Sequence, residues 1–357
     1  MSDFLKEIKQ CYQSHDHSGF IKTLAKYDYL PGTVLPFKVL DLAFGYRKLD
    51  WADYIMDTYR IDNMNDEKDP IITSAAYCGN KQLFEKLITL GANINALNHV
   101  KNSAVGVALA FQNYSGIYDL LELGFQMKSY AGGQALRSAA WEGEFEFVRL
   151  FVEHGADVNF NGADQVFPYC TTPVQMAASK NHDEIVKYLV DHGADVTIKD
   201  KYGNRAYLEA KRNKNKDLMD YLKRLEPPKW HEADKRMAEL KKWGLPTEIM
   251  KWLGIENRKI ELPDTCSSAF VEFETIFDLK RIEWQDRVFI DLVKEIEGYD
   301  STGFLVWIKD QKCLGSLDVE HDNLFIFEGT KWNNFIKKLP IVVNHVLDGT
   351  PIDELYK

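Results

Sequence analysis

Between about residues 70 and 200 the apolar positions follow a repeated two-helix grammar. A short alanine-rich run, Ser74-Ala75-Ala76, leads into a polar turn at Gly79-Asn80. Leu83, Phe84, Leu87, Ile88 and Leu90 then follow at the i, i+3, i+4 and i+7 spacing of a helix with one apolar face. The same order recurs as Ser138-Ala139-Ala140 before Phe147-Val148-Leu150-Phe151-Val152, and as Met176-Ala177-Ala178 before Ile185-Val186-Tyr188-Leu189-Val190. The pairs close on related phrases: Gly91-Ala92-Asn93-Ile94-Asn95, Gly155-Ala156-Asp157-Val158-Asn159 and Gly193-Ala194-Asp195-Val196-Thr197. Glycine suits that place because a helix commonly ends in the left-handed conformation, which other residues adopt only at a cost. A degenerate pair runs from Val107 to Gly124, where Phe125 replaces the alanine after glycine. The closing glycines are therefore 33, 31 and 38 residues apart, and the extra residues of the last interval fall at Asn161 to Cys170. Beyond Leu253 the apolar period changes from helical to alternating.

Thr172-Pro173-Val174-Gln175-Met176-Ala177 opens one of these pairs and resembles the Thr-Pro-Leu-His-x-Ala signature of ankyrin repeats, with Val and Gln in place of Leu and His. Thr caps a helix start, and Pro presets its first backbone angle. Upstream, Pro36 to Ala43 with Trp51 to Met56 predict a poorly matching unit, and Phe4 to Leu30 a helical pair capping the stack, as end repeats with one face in water should. A last pair follows Asp200-Lys201-Tyr202-Gly203-Asn204 and stops at Glu226-Pro227-Pro228, because proline cannot donate to a helical ladder and restricts the residue before it. The expected architecture is an α solenoid of ankyrin repeats over residues 1–226, followed by a smaller α+β domain over 229–357.

Ankyrin resemblance implies binding of another macromolecule, usually a protein, through the first helices and the loops between units. Tyr77, Phe111 and Trp141 come directly after the small residues of successive units and should line up on one face. They either form a contact surface, where aromatics dominate binding energy, or pad the stack. The insertion carries Phe160, Phe167 and Tyr169, which either project as a binding loop or fold back onto the helices.

In the second region, Trp230 to Leu245 and Pro246 to Leu253 predict two helices. Phe270 to Phe277, Phe304 to Ile308, Gly315 to Val319 and Leu324 to Phe327 predict strands, with a turn at Lys309 to Lys312. A closing helix begins at Thr330-Lys331-Trp332 and continues past Pro340. The pattern predicts an antiparallel sheet flanked by helices. The early Leu245-Pro246, the strand ending Gly315-Ser316-Leu317-Asp318-Val319-Glu320-His321-Asp322, and Trp332-Asn333-Asn334-Phe335-Ile336 are similar to the SUKH superfamily, common among bacterial immunity proteins, over about residues 229 to 347. Where that family has Asn-Gly after its first helices, this chain has Gly254-Ile255-Glu256-Asn257. The resemblance implies a bacterial protein that neutralises a toxin domain.

A length of 357 residues exceeds what one core usually supports, in keeping with two domains. The net charge of -10 argues against nucleic acid as a ligand, since phosphate binding rests on clustered Lys and Arg. From Val271 to Glu328 there are 14 acidic and six basic residues, either a solvated face or a docking surface for a basic protein, with Asp318, Glu320 and Asp322 at its tip. The five cysteines are scattered without a Cys-x-x-Cys and suggest neither disulfides nor a zinc site. No apolar run is long enough to span a bilayer and the first residues lack the layout of a secretion signal, so the expected compartment is the cytoplasm, with no membrane partner. Phosphate-loop, dinucleotide, zinc-helix and nucleophile-elbow motifs are not found. His15-Asp16-His17 reads as a solvated turn rather than a metal site, and His321 between Glu320 and Asp322 as a turn residue. No cofactor, metal or catalytic residue is expected. The function expected is non-enzymatic protein binding: occlusion of a toxin domain, or alternatively an ankyrin scaffold or effector holding a cellular or host protein.

Overall fold

A computed structural model describes residues 2–26, 35–327, 329 and 332–348, and divides into two compact units, Met1–Asp195 and Val196–Lys357. The first unit is a succession of helical pairs: α1 (Ser2–Ser14) with α2 (His17–Lys26), α3 (Leu35–Gly45) with α4 (Leu49–Thr58), α5 (Ile71–Ala75) with α6 (Lys81–Thr89), α7 (Ala104–Ala110) with α8 (Tyr114–Glu122), α9 (Tyr130–Glu142) with α10 (Phe145–Glu153), and α11 (Pro173–Ser179) with α12 (Asp183–Asp191). Residues 27–30, part of the N-terminal pair expected from the sequence, lie outside the described residues.

The first helices touch one another in sequence, α1 to α3, α5, α7, α9 and α11, and their alanines explain the close approach: Ala75, Ala76, Ala139, Ala140, Ala177 and Ala178 have no exposed surface. The second helices supply the larger apolar side chains, among them Phe84, Leu87, Ile117, Leu120, Val148, Phe151, Val186 and Leu189, all fully buried. A buried aliphatic or aromatic side chain of this size stabilises by about 1.5–3 kcal/mol relative to exposure, so these layers are the main source of cohesion. Side-chain caps start the helices. Asn80 accepts from the Leu83 N–H at 3.0 Å, and Thr172 forms a full capping box with Gln175, as Thr-Pro predicts.

Gly91, Gly124, Gly155 and Gly193 all have φ between 88° and 104°, the left-handed cap expected of them. The next residue then donates to the last helical turn, as Ala92 N–H does to Leu87 O at 2.9 Å. The asparagine that ends the Gly-Ala-x-x-Asn phrase ties neighbouring turns together. Asn95 Oδ1 accepts from the Gln126 N–H at 2.8 Å and Asn159 Oδ1 from the Asp195 N–H at 2.7 Å, while Asn65 does the same for the Asn93 N–H at 2.7 Å.

The second unit begins at Val196, upstream of Glu226-Pro227-Pro228, and contains the last helical pair, α13 (Ala206–Arg212) and α14 (Lys216–Leu225). After a single 3-10 turn at Pro228–Trp230 come α15 (Ala233–Lys242) and α16 (Thr247–Leu253). The strands are β1 (Lys259–Glu261), β2 (Phe270–Phe273), β3 (Lys280–Trp284), β4 (Arg287–Asp291), β5 (Val293–Ile296), β6 (Val306–Ile308), β7 (Cys313–Asp318) and β8 (Asn323–Phe327), and α17 (Trp332–Lys337) and α18 (Leu339–Asp348) end the described chain. All strand pairs are antiparallel, in two sheets: β1-β2-β5 and β3-β4-β6-β7-β8.

Four particulars differ from the sequence reading. There are two sheets rather than one, and β1, β3, β4 and β5 were not foreseen. The strand expected through Phe277 stops at Phe273, where the β2–β5 register shifts and a turn held by the Thr275 and Asp278 side chains takes over. The closing helix, whose start at Thr330-Lys331 lies outside the described residues, breaks at Lys338, because Pro340 has no N–H to continue the ladder. None of the five cysteines is in a disulfide, and all are half-buried.

Candidate functional site

The exposed aromatic side chains at the ends of the first helices form the most distinctive surface of the first unit. Tyr77 follows Ala76, the C-cap of α5, and Phe111 caps α7. Their rings pack 4.0 Å apart between centroids, yet Tyr77 remains 37% exposed and Phe111 46%. Two large rings that pack against one another while facing water present apolar area already held in place, so little side-chain entropy is lost when a partner covers it. Trp141, on α9, is half-buried. Lys180 Nζ sits 3.7 Å from its ring centroid, Phe167 meets it edge-on at 5.8 Å, and His182 Nε2 lies 3.2 Å from its carbonyl. Tyr77 and Phe111 thus form one contact pair, and Trp141 belongs with the insertion beside it.

The insertion folds down over α9, and a buried arginine holds it there. Arg137 has no exposed surface. Its guanidinium pairs with Asp164, donates to Gly162 O at 2.7 Å and Thr171 O at 3.1 Å, and lies 4.8 Å from the ring centroids of both Phe160 and Phe167. Asp164 also accepts from Gln134 Nε2 at 2.9 Å and from the backbone of Val166 and Phe167 at 2.9 and 2.6 Å. Burial alone would raise the Asp164 carboxyl; the Gln134 and Phe167 donors and the Arg137 charge outweigh it and hold the group below its ordinary value. Gly133 makes the seat possible, since a β-carbon there would come within 2.3 Å of the Phe160 ring. Phe160, only 7% exposed, is part of this packing and offers no free surface, whereas Phe167 and Tyr169 are half-buried. Val166, at the tip, is 73% exposed.

A second aromatic series lies on the second helices and was not foreseen. Tyr114 and Tyr118 of α8 flank Phe147 of α10 at 4.9 and 5.8 Å, and Phe145 meets Tyr188 of α12 edge-on at 5.5 Å. The i, i+4 spacing of Tyr114 and Tyr118 was the available signal.

In the second unit, Asp318, Glu320 and Asp322 sit exposed on the β7–β8 turn. Asp318 accepts from the Glu320 and His321 N–H groups at 3.1 Å each and from His321 Nδ1 at 2.7 Å. These bonds and the His321 charge outweigh burial and keep its carboxyl low, and the Asp318 hydrogen bond raises His321. Asp322 accepts from Gln285 Nε2 at 2.9 Å, which brings the β3–β4 and β7–β8 turns together. The acidic residues shape their own turn as well as facing water.

Among the described residues, no group of three or more His, Cys, Asp or Glu side chains is spaced to hold a metal ion, and no helix is long and apolar enough to cross a membrane. The His15-Asp16-His17 turn uses Asp16 to accept from the Gly19 N–H at 2.8 Å, and His17 packs on Trp51 at 5.1 Å.

Comparison with curated proteins finds no match to this chain. Residues 161–229, spanning the insertion, α11 to α14 and the start of the 3-10 turn, match the family model described as ankyrin repeats (3 copies), a protein-binding, non-catalytic module.

Proposed function

We propose that this chain is a non-enzymatic binding protein whose helical pairs, upstream of the matched residues as well as within them, grip a partner protein through the ends of their first helices. The observation that carries this reading is the Tyr77–Phe111 pair: two rings in contact, both substantially exposed, in the place where ankyrin repeats present their binding residues. Trp141, with Lys180 over its face, extends the surface with a cation that favours a partner carrying exposed carboxylates or carbonyls at that end.

In its finer form the partner is a basic toxin domain, neutralised by occlusion in a bacterial cytoplasm. Two features support it: the exposed acidic turn of Asp318, Glu320 and Asp322, which would steer a basic protein, and the resemblance of the C-terminal sequence to the SUKH superfamily. The alternative is a scaffold or effector that holds a cellular or host protein with the helical pairs alone. Affinity capture with variants separates the two. Loss of the partner in Tyr77→Ala/Phe111→Ala with retention in Asp318→Lys/Glu320→Lys assigns recognition to the helical pairs. The opposite pattern assigns it to the acidic turn and rejects the reading based on the ring pair.

A further inference from the structure

The second unit contains a ladder of alternating cations and aromatic rings that protein binding does not account for. Arg205, capping the start of α13, places its guanidinium 4.9 Å from the Trp230 ring centroid. Lys199 Nζ lies 5.0 Å from the same ring and 5.6 Å from Trp243, and Arg236 of α15 lies 4.6 Å from Trp243 on its own account. The order is Arg205, Trp230, Lys199, Trp243, Arg236.

The two arginines are anchored and the lysine is not. Arg205 Nε pairs with Glu226 at 2.5 Å, and Glu226 also holds His231 at 2.8 Å. Arg236 pairs with Glu239 at 2.5 Å and donates to Ile276 O and Leu279 O at 2.9 and 2.8 Å, and Glu239 also faces Lys229 at 3.5 Å. Both carboxylates are therefore engaged, and among the described residues Lys199 forms no ion pair and lies over the two indole faces. The three cations of the ladder have two carboxylates between them; the two arginines are buried and Lys199 is half-buried.

We propose that Lys199 is an acceptor for acyl groups delivered by small acyl phosphates. The crowded positive charge attracts an anionic donor, and a desolvated lysine that shares its two indoles with two guanidinium groups favours the free amine over the ammonium. Burial, together with the charges of Arg205, Arg236 and Arg281 and against that of Glu239, lowers the Lys199 ammonium to about 8, so the free amine is present near neutral pH. In the transfer the amine attacks the carbonyl carbon. The C–N bond forms, the C–O bond to phosphate breaks, phosphate leaves with the electron pair, and the ammonium proton passes to solvent. The product keeps the ring contacts and removes one cation from the ladder.

The experiment is incubation of the full chain with acetyl phosphate across pH 6.5 to 10, with site occupancy read by mass spectrometry of Glu-C peptides. Lys241 and Lys242, exposed on α15, serve as internal references. With its amine set near 8 instead of the usual 10.4, Lys199 carries a free-amine fraction roughly a few hundredfold higher near neutrality, partly offset by the weaker nucleophilicity of a weaker base. The expected result is acetylation of Lys199 at least about tenfold faster than the references at pH 7.5, with a rate that levels off above about pH 8 while theirs keeps climbing. Lys199→Arg should remove this fast-reacting site and leave the reference rates unchanged. Equal or slower acetylation of Lys199, or a rate that climbs with the references, overturns the proposal.

Discussion

Replacing Arg137 with methionine keeps most of the side chain's volume between Phe160 and Phe167 but removes the charge that holds the insertion down. The loss has three parts. Asp164, whose side chain points inward from the insertion and is almost fully buried, loses its counter-ion, Gly162 O and Thr171 O lose their donor, and two ring faces lose a cation. Breaking a buried ion pair by removing one partner typically costs about 3–5 kcal/mol. Three other donors remain on Asp164, from Gln134, Val166 and Phe167, and they continue to stabilise its charge, which places the expected cost near the lower end, about 3 kcal/mol. Urea unfolding of the variant, followed by the signal of the first unit, should show that loss with an unchanged slope, and proteolysis at the exposed tip near Val166 should accelerate. Pairing Arg137→Met with Asp164→Leu should recover part of the stability, because no uncompensated charge is then left inside. A single variant within about 1 kcal/mol of the parent, or a double variant worse than the sum of both singles, would refute the idea that this pair pins the insertion. The pH dependence follows from the same pair. The carboxyl of Asp164 is lower in the folded chain than in the unfolded one, so its contribution is complete above the unfolded value and fades as pH falls through the folded one.

Gly133→Ala should destabilise by about 1–3 kcal/mol, since its β-carbon meets the Phe160 ring and the buried seat has little room to relax; thermal unfolding checks this. His321 should titrate above its ordinary value in a proton NMR titration and return toward that value in Asp318→Asn. Its pairing stabilises the folded turn at low pH and is lost as pH rises through the folded-state value. Asn159→Ala should remove the tie from Asn159 Oδ1 to the Asp195 N–H and cost about 1 kcal/mol, measured as faster amide exchange at Asp195.

The chain states its helical pairs openly because each is written several times. Glycines with φ near 90° and fully buried alanines are demands of the backbone, and such demands leave few residue choices. The insertion was legible from spacing alone, but its anchor was not. Arg137 stands among alanines and serines, where an arginine ordinarily faces water, and only its partner 27 residues later shows why it is buried. The ties made by Asn95 and Asn159 were visible as conserved spelling within the chain's own phrases, yet a side-chain bond to the next turn has no local signature. The strand pattern was weaker. The β3–β4 hairpin turns on Gln285-Asp286, both at positive φ, without the glycine that usually marks such a turn, and its strands carry the buried Lys280 and Asp291, which interrupt the apolar alternation. Of the candidate surface residues, Tyr77, Phe111 and Trp141 were readable as a series at equivalent positions; Tyr77 and Phe111 meet, while Trp141 packs against Phe167 of the insertion. Phe160 was readable only as one of two alternatives, and packing decides between them.

Site-specific photo-crosslinking tests the central claim most directly. A benzoylphenylalanine placed at Phe111, and in a separate chain at Tyr299, compares two positions of equal exposure, 46% each, one within the Tyr77–Phe111 ring pair and one in the C-terminal region. The account predicts a discrete crosslinked partner from position 111 that disappears when Tyr77 is changed to alanine. A partner captured from position 299 and not from 111 would contradict it.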